Sequence, residues 1–196
     1  MTAPPLPGLA PTVPGAMPGA AGPTLRVLGL DLSLTCTGVA LPDGTTQRIK
    51  TRQKDGDLRL LVIRAAIRAA LVHRPTLAVL EDLPRHAMGA GVTAMVHGIV
   101  RAELVEARVP YALVVPATLK AFAYDHGRAS KDDMAAAAFI AAGAEFANDP
   151  GGDQCDAWWL RAAGHDWYGQ PLFTLPAAQR ARLSKVAWPP KEAVLR

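Results

Sequence analysis

Four acidic residues stand where strands or helices of the predicted fold begin or end. Asp31 ends the apolar run of residues 25–30, and Glu81 ends a second run at 77–80. Asp153 and Asp156 lie where an apolar helix is predicted to begin. Carboxylates at strand ends and in the first turn of a helix can converge, and like charges that converge need cations to neutralise them. Because oxygen ligands favour Mg²⁺ or Mn²⁺ over Zn²⁺, the pattern indicates a two-metal site for phosphodiester chemistry.

Each of these acids also has a purely structural explanation. Asp31 could end its strand or bond to its own turn. Asp82 competes with Glu81, although strand alternation places the two side chains on opposite faces. Asp153 and Asp156 are three residues apart and share a helix face, but the helix dipole alone favours acids in a first turn. Asp153 is the more plausible of the two as a simple cap.

A lysine at a predicted helix start adds to the acid pattern. Ser130 is predicted to cap a helix that runs to about residue 142, and Lys131 follows it directly. A lysine there opposes the helix dipole, so either a phosphate or the carboxylate cluster is expected to hold it. The alternative is a solvated lysine. The five histidines show no spacing typical of metal ligands.

The elements that must position these residues alternate between strands and helices. A hairpin turn is predicted at residues 42–44, and apolar periodicity predicts the remaining elements. The order of these elements predicts an α/β fold with a mixed five-stranded sheet and helices on both faces. Three strands come first, followed by a helix, a strand, a helix, a strand and then further helices. The predicted strands are 25–31, 36–41, 45–50, 77–81 and 111–115, and the predicted helices are 57–73, 92–108, 116–124, 130–142 and 152–164.

Composition divides the 196 residues into three parts. Residues 1–24 hold seven of the 17 prolines, four glycines and no charged residue, which predicts a flexible segment. Residues 25–167 form the predicted domain, and this length supports a real core. Residues 168–196 contain prolines and an excess of basic residues, so we predict a partly ordered basic tail.

The net charge is slightly positive, with 21 Lys and Arg against 17 Asp and Glu. If four acids are neutralised by metal, the remaining surface is more positive and suits a polyanion such as DNA. On charge alone, however, a slightly basic soluble protein is the favoured explanation. Cys36 and Cys155 provide no disulfide framework or zinc spacing. We find no membrane-spanning run and no secretory signal, so we expect a cytoplasmic protein without membrane contact.

At this point the motifs, taken in order, resemble the RuvC-type Holliday junction resolvases. The stretch from Val27 to Ala40 resembles their first strand and turn, and Val79-Leu80-Glu81 resembles their second acidic motif. Residues 116–120 and 129–134 are similar to their stretch leading into the third helix, and residues 153–157 match a terminal Asp-x-x-Asp-Ala. Each motif is weak alone, but the ordered set over residues 25–165 is fairly specific.

The resemblance implies an RNase H-like fold and a Mg²⁺-dependent endonuclease that acts in DNA recombination and repair. It implies a homodimer that resolves four-way junctions by paired symmetric nicks and needs no small-molecule cofactor. Two Mg²⁺ would bind each site, with Mn²⁺ able to substitute. The implied metal ligands are Asp31, Glu81, Asp153 and Asp156, the lysines near the scissile phosphate are Lys120 and Lys131, and Arg85 and Arg128 are further expected DNA contacts.

Two departures from the family pattern affect the expected substrate. Asp31 is followed by Leu-Ser rather than Pro-Gly, which looks more like divergent members such as those of phages. Several such resolvases carry an aromatic residue just after the second acid, thought to wedge into the junction. Residues 82–88 contain none, so junction opening would use Met88 or His86, or the substrate would be less strictly a four-way junction.

Other classes of function remain open from the sequence. One is an RNase H-like nuclease for other branched DNA or for RNA–DNA hybrids. Another is a non-catalytic protein that binds DNA structures, although acids without metal would repel DNA. The actin-like ATP-binding fold has a similar first strand but a longer chain. For a dimer, the predicted helix 92–108 is the candidate interface, with an apolar face of Val92, Met95, Val96, Ile99 and Val100; alternatively this helix packs wholly within its own domain.

Overall fold

The structure, a computed structural model, describes residues 24–83 and 90–195. Within these residues five strands form one sheet, in the order β3-β2-β1-β4-β5. Strands β1, β2 and β3 pair antiparallel, whereas β4 and β5 run parallel to β1. The predicted mixed sheet is therefore confirmed. The strands are β1 (Val27–Asp31), β2 (Cys36–Ala40), β3 (Thr46–Lys50), β4 (Leu77–Glu81) and β5 (Tyr111–Val114).

The five predicted helices are present in the predicted order, with small shifts at their ends, and two further short helices follow them. Ser130 caps its helix through a capping box: its hydroxyl accepts from the backbone N–H of Asp133 at 3.1 Å, and the Asp133 carboxylate accepts from the N–H of Ser130 at 2.8 Å. The helices are α1 (Leu58–Leu71), α2 (Ala90–Glu106), α3 (Pro116–Tyr124), α4 (Lys131–Ala142), α5 (Asp153–Trp167), α6 (Ala177–Ala181) and α7 (Lys191–Val194), with 3₁₀ turns at Gln53–Asp55 and Arg182–Lys185.

Helices cover both faces of the sheet, as predicted. Successive strand residues point to opposite sides, and because they are apolar on both sides, each face needs helices to cover it. Leu28 and Leu30 pack in a core with α1 and α2, whereas Val27 packs in a second core with α3, α4 and α5. Trp159 of α5 is completely buried in that second core, and its indole N–H donates to the carbonyl oxygen of Met134 at 3.1 Å. No helix in the described part of the chain has the length and apolarity needed to cross a membrane.

Helix α5 lies unusually close to the sheet, because glycine occupies the contact positions. A Cβ atom on Gly29 would lie 2.0 Å from the carbonyl oxygen of Ala157, and one on Gly164 would lie 2.8 Å from the side chain of Val27. Side chains at these positions would push the helix away from β1. The first turn of α5 is thereby held against the end of β1, where Asp31 lies.

The segment predicted as a partly ordered basic tail is different in the structure. Residues 168–195 pack on the α3 and α5 side of the sheet, and both Leu183 and Val194 are buried in that core. The hydroxyl of Tyr168 donates to the carbonyl oxygen of Pro189 at 2.7 Å. A few well-placed apolar side chains fix the segment, which average composition does not reveal. The predicted flexible segment, residues 1–24, lies outside the described residues except for Thr24.

The predicted interface face of α2 divides between two environments. Val96 and Val100 are fully buried against the sheet, so they belong to the domain's own core. Val92 and Met95 remain 45% and 42% exposed, and Ile99 is half-buried. The apolar surface available to a partner is therefore smaller than the sequence predicts, and it lies to one side of the buried face.

Candidate active site

Two of the predicted acids meet at the carboxyl ends of neighbouring parallel strands. Leu30 pairs with Leu80 in the β1–β4 ladder, so Asp31 and Glu81 are the next residues along the two strands. The side chains of Asp31 and Glu81 lie near enough to share a hydrogen bond. Helix α5 begins at the same edge and brings Asp156 close enough to interact electrostatically with both.

Burial and mutual repulsion raise the pKa values of all three acids. Burial raises the pKa of Asp31 well above its usual range, and the charges of Glu81, Asp156 and Asp153 add to this effect. Burial and the charge of Asp156 raise the pKa of Glu81 to about 7. Burial raises the pKa of Asp156 to about 6, although Lys120 opposes the shift. The positive charge near these carboxyl groups is thus too small to offset the free-energy cost of ionising all three of them.

Two lysines from different helices supply part of that charge. Lys120 of α3 lowers the pKa of both Glu81 and Asp156, and Lys131, the first residue of α4, lowers that of Asp156. The aliphatic carbons of Lys131 extend past Gly152, 3.5 Å from the position that a Cβ there would take. Lys131 is exposed, as the solvated alternative predicts, but its charge also acts on Asp156 of the carboxylate cluster.

Asp153 is near the cluster but is held by a different partner. It makes no capping hydrogen bond to α5; Asp149 does so instead, accepting from the N–H groups of Gln154 at 3.0 Å and Cys155 at 3.1 Å. Arg48 of β3 lies between the two acids, 3.7 Å from Asp149 and 4.0 Å from Asp153. The interpretation of Asp153 as a simple cap is therefore wrong.

Arg48 and Asp149 are site residues that the sequence reading missed. Both side chains are largely buried, at 10% and 3% exposure. Asp149 precedes Pro-Gly-Gly, a turn sequence directly before a helix, which is a signal that could have identified it. Cys36 lies close to Asp153. Burial and a hydrogen bond to Asp153 raise the pKa of the Cys36 thiol to about 11. The thiol therefore stays protonated at neutral pH.

The competing acid Asp82 points away from the cluster. Its carboxylate accepts from the N–H of Leu83 at 2.8 Å. It also faces His97 of α2, on the other side of the sheet, where burial lowers the pKa of the histidine and the Asp82 charge raises it. Strand alternation thus separates Glu81 from Asp82 as predicted.

Of the two predicted arginine contacts, only Arg128 lies among the described residues, and it is not part of the cluster. Arg128 is exposed in the loop before α4, and its N–H donates to Nδ1 of His126 at 3.3 Å. Arg85 lies outside the described residues, as do His86 and Met88, the candidates for opening a junction. Their roles stay predictions.

The donor chemistry of the cluster suits Mg²⁺, but the side chains are not in a ligating arrangement. Every candidate ligand is a carboxylate oxygen, the donor type that Mg²⁺ prefers. Burial and mutual repulsion raise the pKa values of Asp31, Glu81 and Asp156, and a bound cation would offset both effects. In the described ranges, however, no group of three or more His, Cys, Asp or Glu side chains is placed to hold a metal ion. Asp31 and Glu81 lie within hydrogen-bonding reach of each other, and Asp153 is paired with Arg48.

Comparison with solved structures identifies the fold. The structure of Thermus thermophilus RuvC in complex with a Holliday junction substrate matches with a TM-score of 0.62 and 23% sequence identity, over 75% of this chain and 96% of that one. This chain has the RuvC fold. A second Thermus thermophilus RuvC structure matches with a TM-score of 0.60 and 21% identity, over 74% of this chain and 98% of that one. No family model and no protein of curated function matches the sequence.

The RuvC fold confirms the resemblance found in the motifs and the RNase H-like architecture that it implied. Because the match includes nearly all of the RuvC chains but three quarters of this one, this protein carries residues beyond the shared fold. At these identities the likeness is one of fold.

Proposed function

We propose that this protein is a Mg²⁺-dependent endonuclease that resolves four-way DNA junctions. The observation that carries the proposal is the convergence of Asp31, Glu81 and Asp156, flanked by Lys120 and Lys131, at one edge of a RuvC fold. A cluster of buried acids is costly for stability, so its presence calls for a functional explanation.

The four acids have a common role in this proposal. Asp31, Glu81, Asp153 and Asp156 would hold two Mg²⁺, with Mn²⁺ able to substitute. When bound there, Mg²⁺ would lower the pKa of a water molecule and polarise the scissile phosphate. To serve as ligands, Asp31 and Glu81 must both be ionised, and Asp153 must leave Arg48. Arg48 would meanwhile hold Asp149 and thereby keep the first turn of α5 in place.

The two lysines would make the acid edge acceptable to DNA. Lys120 and Lys131 reduce the negative potential beside Asp156, so a phosphate can approach. In the transition state they would offset the charge that develops on the phosphate. Arg128, and Arg85 outside the described residues, would add contacts to the DNA backbone that raise affinity without reading sequence.

A homodimer would match the symmetry of the substrate. One of the RuvC structures that share this fold is bound to a Holliday junction, and a four-way junction has two-fold symmetry. One acid cluster per chain gives one cut per chain, so two symmetric cuts need two chains related by a two-fold axis. The candidate interface comprises five of the exposed apolar side chains of the α1–α2 layer, with half-buried Ile99 beside them. The five are Leu58, Leu61, Val62, Val92 and Met95.

Cleavage of a panel of labelled substrates tests the proposal. Four-way junctions, flaps, RNA–DNA hybrids and duplexes are incubated with Mg²⁺, and junction binding is measured separately in Ca²⁺. Asp31→Asn, Glu81→Gln and Asp156→Asn should each abolish cleavage and retain binding, because binding depends on Lys and Arg contacts. Asp82→Asn is the matched control, since Asp82 lies on the other face of the sheet, and it should cut normally.

The outcomes separate the competing functions. Normal cleavage by Asp31→Asn would contradict the proposed metal site. Junction binding without cleavage by the wild type would favour a non-catalytic DNA-structure binder. Equal cutting of junctions, flaps or hybrids would favour a general RNase H-like nuclease.

A further inference from the structure

A cavity of about 440 Å³ lies beside the acid cluster. Its walls are the outer face of α4, the loop before α5 and the first turn of α5. Lys131 and Gly152 line the end near the acids, and Phe139 and Phe146 line another part of the wall. The volume is within the range of cavities that bind small organic groups.

The outer face of α4 is unusual for a helix at the protein surface. After Asp133 the helix contains no charged residue up to its end at Ala142, although surface helices normally present polar side chains to water. Ala135 and Ala136 are exposed, and Phe139 is 56% exposed. Small side chains beside an exposed aromatic ring form a flat apolar surface that suits a planar ligand.

The cavity continues directly from the proposed cleavage site. Lys131 lines the cavity and also lowers the pKa of Asp156 in the acid cluster. Phe139 is eight residues further along α4, which places it about 12 Å from Lys131 at 1.5 Å per residue. A phosphate held by Lys131 therefore leaves room along the helix for the attached sugar and base.

We propose that this cavity receives one unstacked base of the strand that is cut, with Phe139 as the stacking surface and Lys131 on the adjoining phosphate. This proposal rests on the proposed function. Aromatic side chains commonly bind the bases of unpaired strands by stacking. The carboxylates of Asp132 and Glu145 also line the cavity; they repel phosphate but accept hydrogen bonds from base amino groups, so the base enters and its backbone stays outside. Cytosine, adenine or guanine fits this chemistry better than thymine.

Photo-crosslinking tests where the base lies. A four-way junction carrying 5-iodocytosine at one nucleotide near the mapped cut is bound to the full-length protein in Ca²⁺, irradiated, and the attachment point is found by mass spectrometry. One nucleotide position should crosslink to Phe139 or Phe146. Crosslinks from every position to residues outside the cavity would overturn the proposal.

A cycle of protein and DNA changes tests whether the ring and the base act together. Phe139→Ala should lower junction cleavage about 5- to 150-fold, the range expected for losing one stacked base. Phe139→Leu, which keeps an apolar side chain without the ring, should be similarly affected. Ile140→Ala is the matched control, because Ile140 is 83% exposed on the same helix but lies outside this cavity, and its activity should be unchanged.

The DNA half of the cycle replaces the crosslinked nucleotide with an abasic one. The wild type should then fall to the rate of Phe139→Ala, and Phe139→Ala should lose nothing further. Equal losses in both proteins would overturn the proposal while leaving the proposed nuclease intact. If the wild type cuts no junction in Mg²⁺, both proposals fail.

Discussion

A Cβ atom on Gly38 would lie 1.8 Å from the backbone carbonyl oxygen of Asp153. Gly38 pairs with Asp31 in the β1–β2 ladder, so the first turn of α5 rests on the strand next to the acid cluster. Gly38→Ala must displace that turn, and we expect a loss of about 1–3 kcal/mol in the free energy of unfolding together with nearly complete loss of cleavage. Urea unfolding and the junction assay check both effects.

Gly98→Ala is the control for this prediction. Gly98 lies on α2, and apart from its chain neighbours and its own helix backbone, no atom of the described residues lies within 4 Å of the position that a Cβ would take. Alanine favours helix over glycine by up to about 1 kcal/mol, so this variant should be as stable as the wild type or more stable. A Gly38→Ala protein with wild-type stability and activity would contradict the close contact of β2 with α5.

The acid cluster should make the metal-free protein less stable as pH rises. Glu81 has a folded pKa of about 7 against 4.5 in a model peptide, and Asp156 about 6 against 3.8. A raised carboxyl pKa means that stability is fully present below the unfolded value and is lost as pH rises through the folded value. In EDTA the free energy of unfolding should therefore fall between about pH 4 and pH 7.

Glu81→Gln tests the source of that pH dependence. Without this charge, the metal-free variant should exceed the wild type by about 1–3 kcal/mol at pH 8 and differ little at pH 4. Urea unfolding in EDTA across this range measures both. If the free energy of unfolding depended on pH identically in the two proteins, ionisation of Glu81 would not destabilise the fold.

Arg48 should contribute to stability through the buried acid beside it. Oδ1 of Asp149 is buried without a hydrogen-bond partner among the described residues, and Arg48 lies 3.7 Å from it. Arg48→Gln leaves that charge unbalanced and should cost about 2–4 kcal/mol. Arg48→Lys should recover part of the loss, because at this distance charge matters more than directed hydrogen bonding.

Arg52→Gln is the matched control, since Arg52 is 74% exposed and pairs with Asp55. Exposed pairs of this kind contribute little, so its unfolding curve should overlay that of the wild type. Equal losses in the Arg48 and Arg52 variants would contradict a specific role for Arg48.

Dimerisation should depend on the exposed apolar side chains of α2. Met95→Glu places a charge on the candidate interface at a residue that is 42% exposed, so the fold should tolerate it while the dimer weakens. Paired cuts in a cruciform plasmid should become independent nicks, because each acid cluster is built within one chain. Sedimentation velocity and plasmid nicking measure the two effects.

Ile140→Glu is the control for Met95→Glu. Ile140 is 83% exposed on α4, which packs on the opposite face of the sheet, and this variant should remain dimeric. A monomeric wild type that cuts junctions no better than flaps would favour a general RNase H-like nuclease.

Removing residues 1–23 should leave the melting temperature and the cleavage rate unchanged. These residues carry no charge for DNA and no apolar periodicity for packing. Thermal unfolding and the junction assay compare the shortened and complete chains. A large loss in either measurement would contradict the interpretation of this segment.

Local patterns predict most of this fold, and long-range pairing explains what they miss. The run of residues 77–80 specifies β4 and the position of Glu81, because a strand signal depends on neighbouring residues. Arg48 pairs with Asp149 and Asp153, which lie far along the chain, so no local pattern marks it. Leu183 is one apolar residue among basic ones, and only the folded chain shows the core that it fills.

The position of α5 in the chain also determines when the site can form. A growing chain exposes Asp31 early, but Asp156 follows 125 positions later, about 6–25 s at usual rates of synthesis. Until then the nascent protein lacks two of the four cluster acids, Asp153 and Asp156. It also lacks the Trp159 side chain, which is buried in one of the two cores. Folding and the capacity to cut DNA should therefore both wait for α5, and a chain stalled before α5 should have neither.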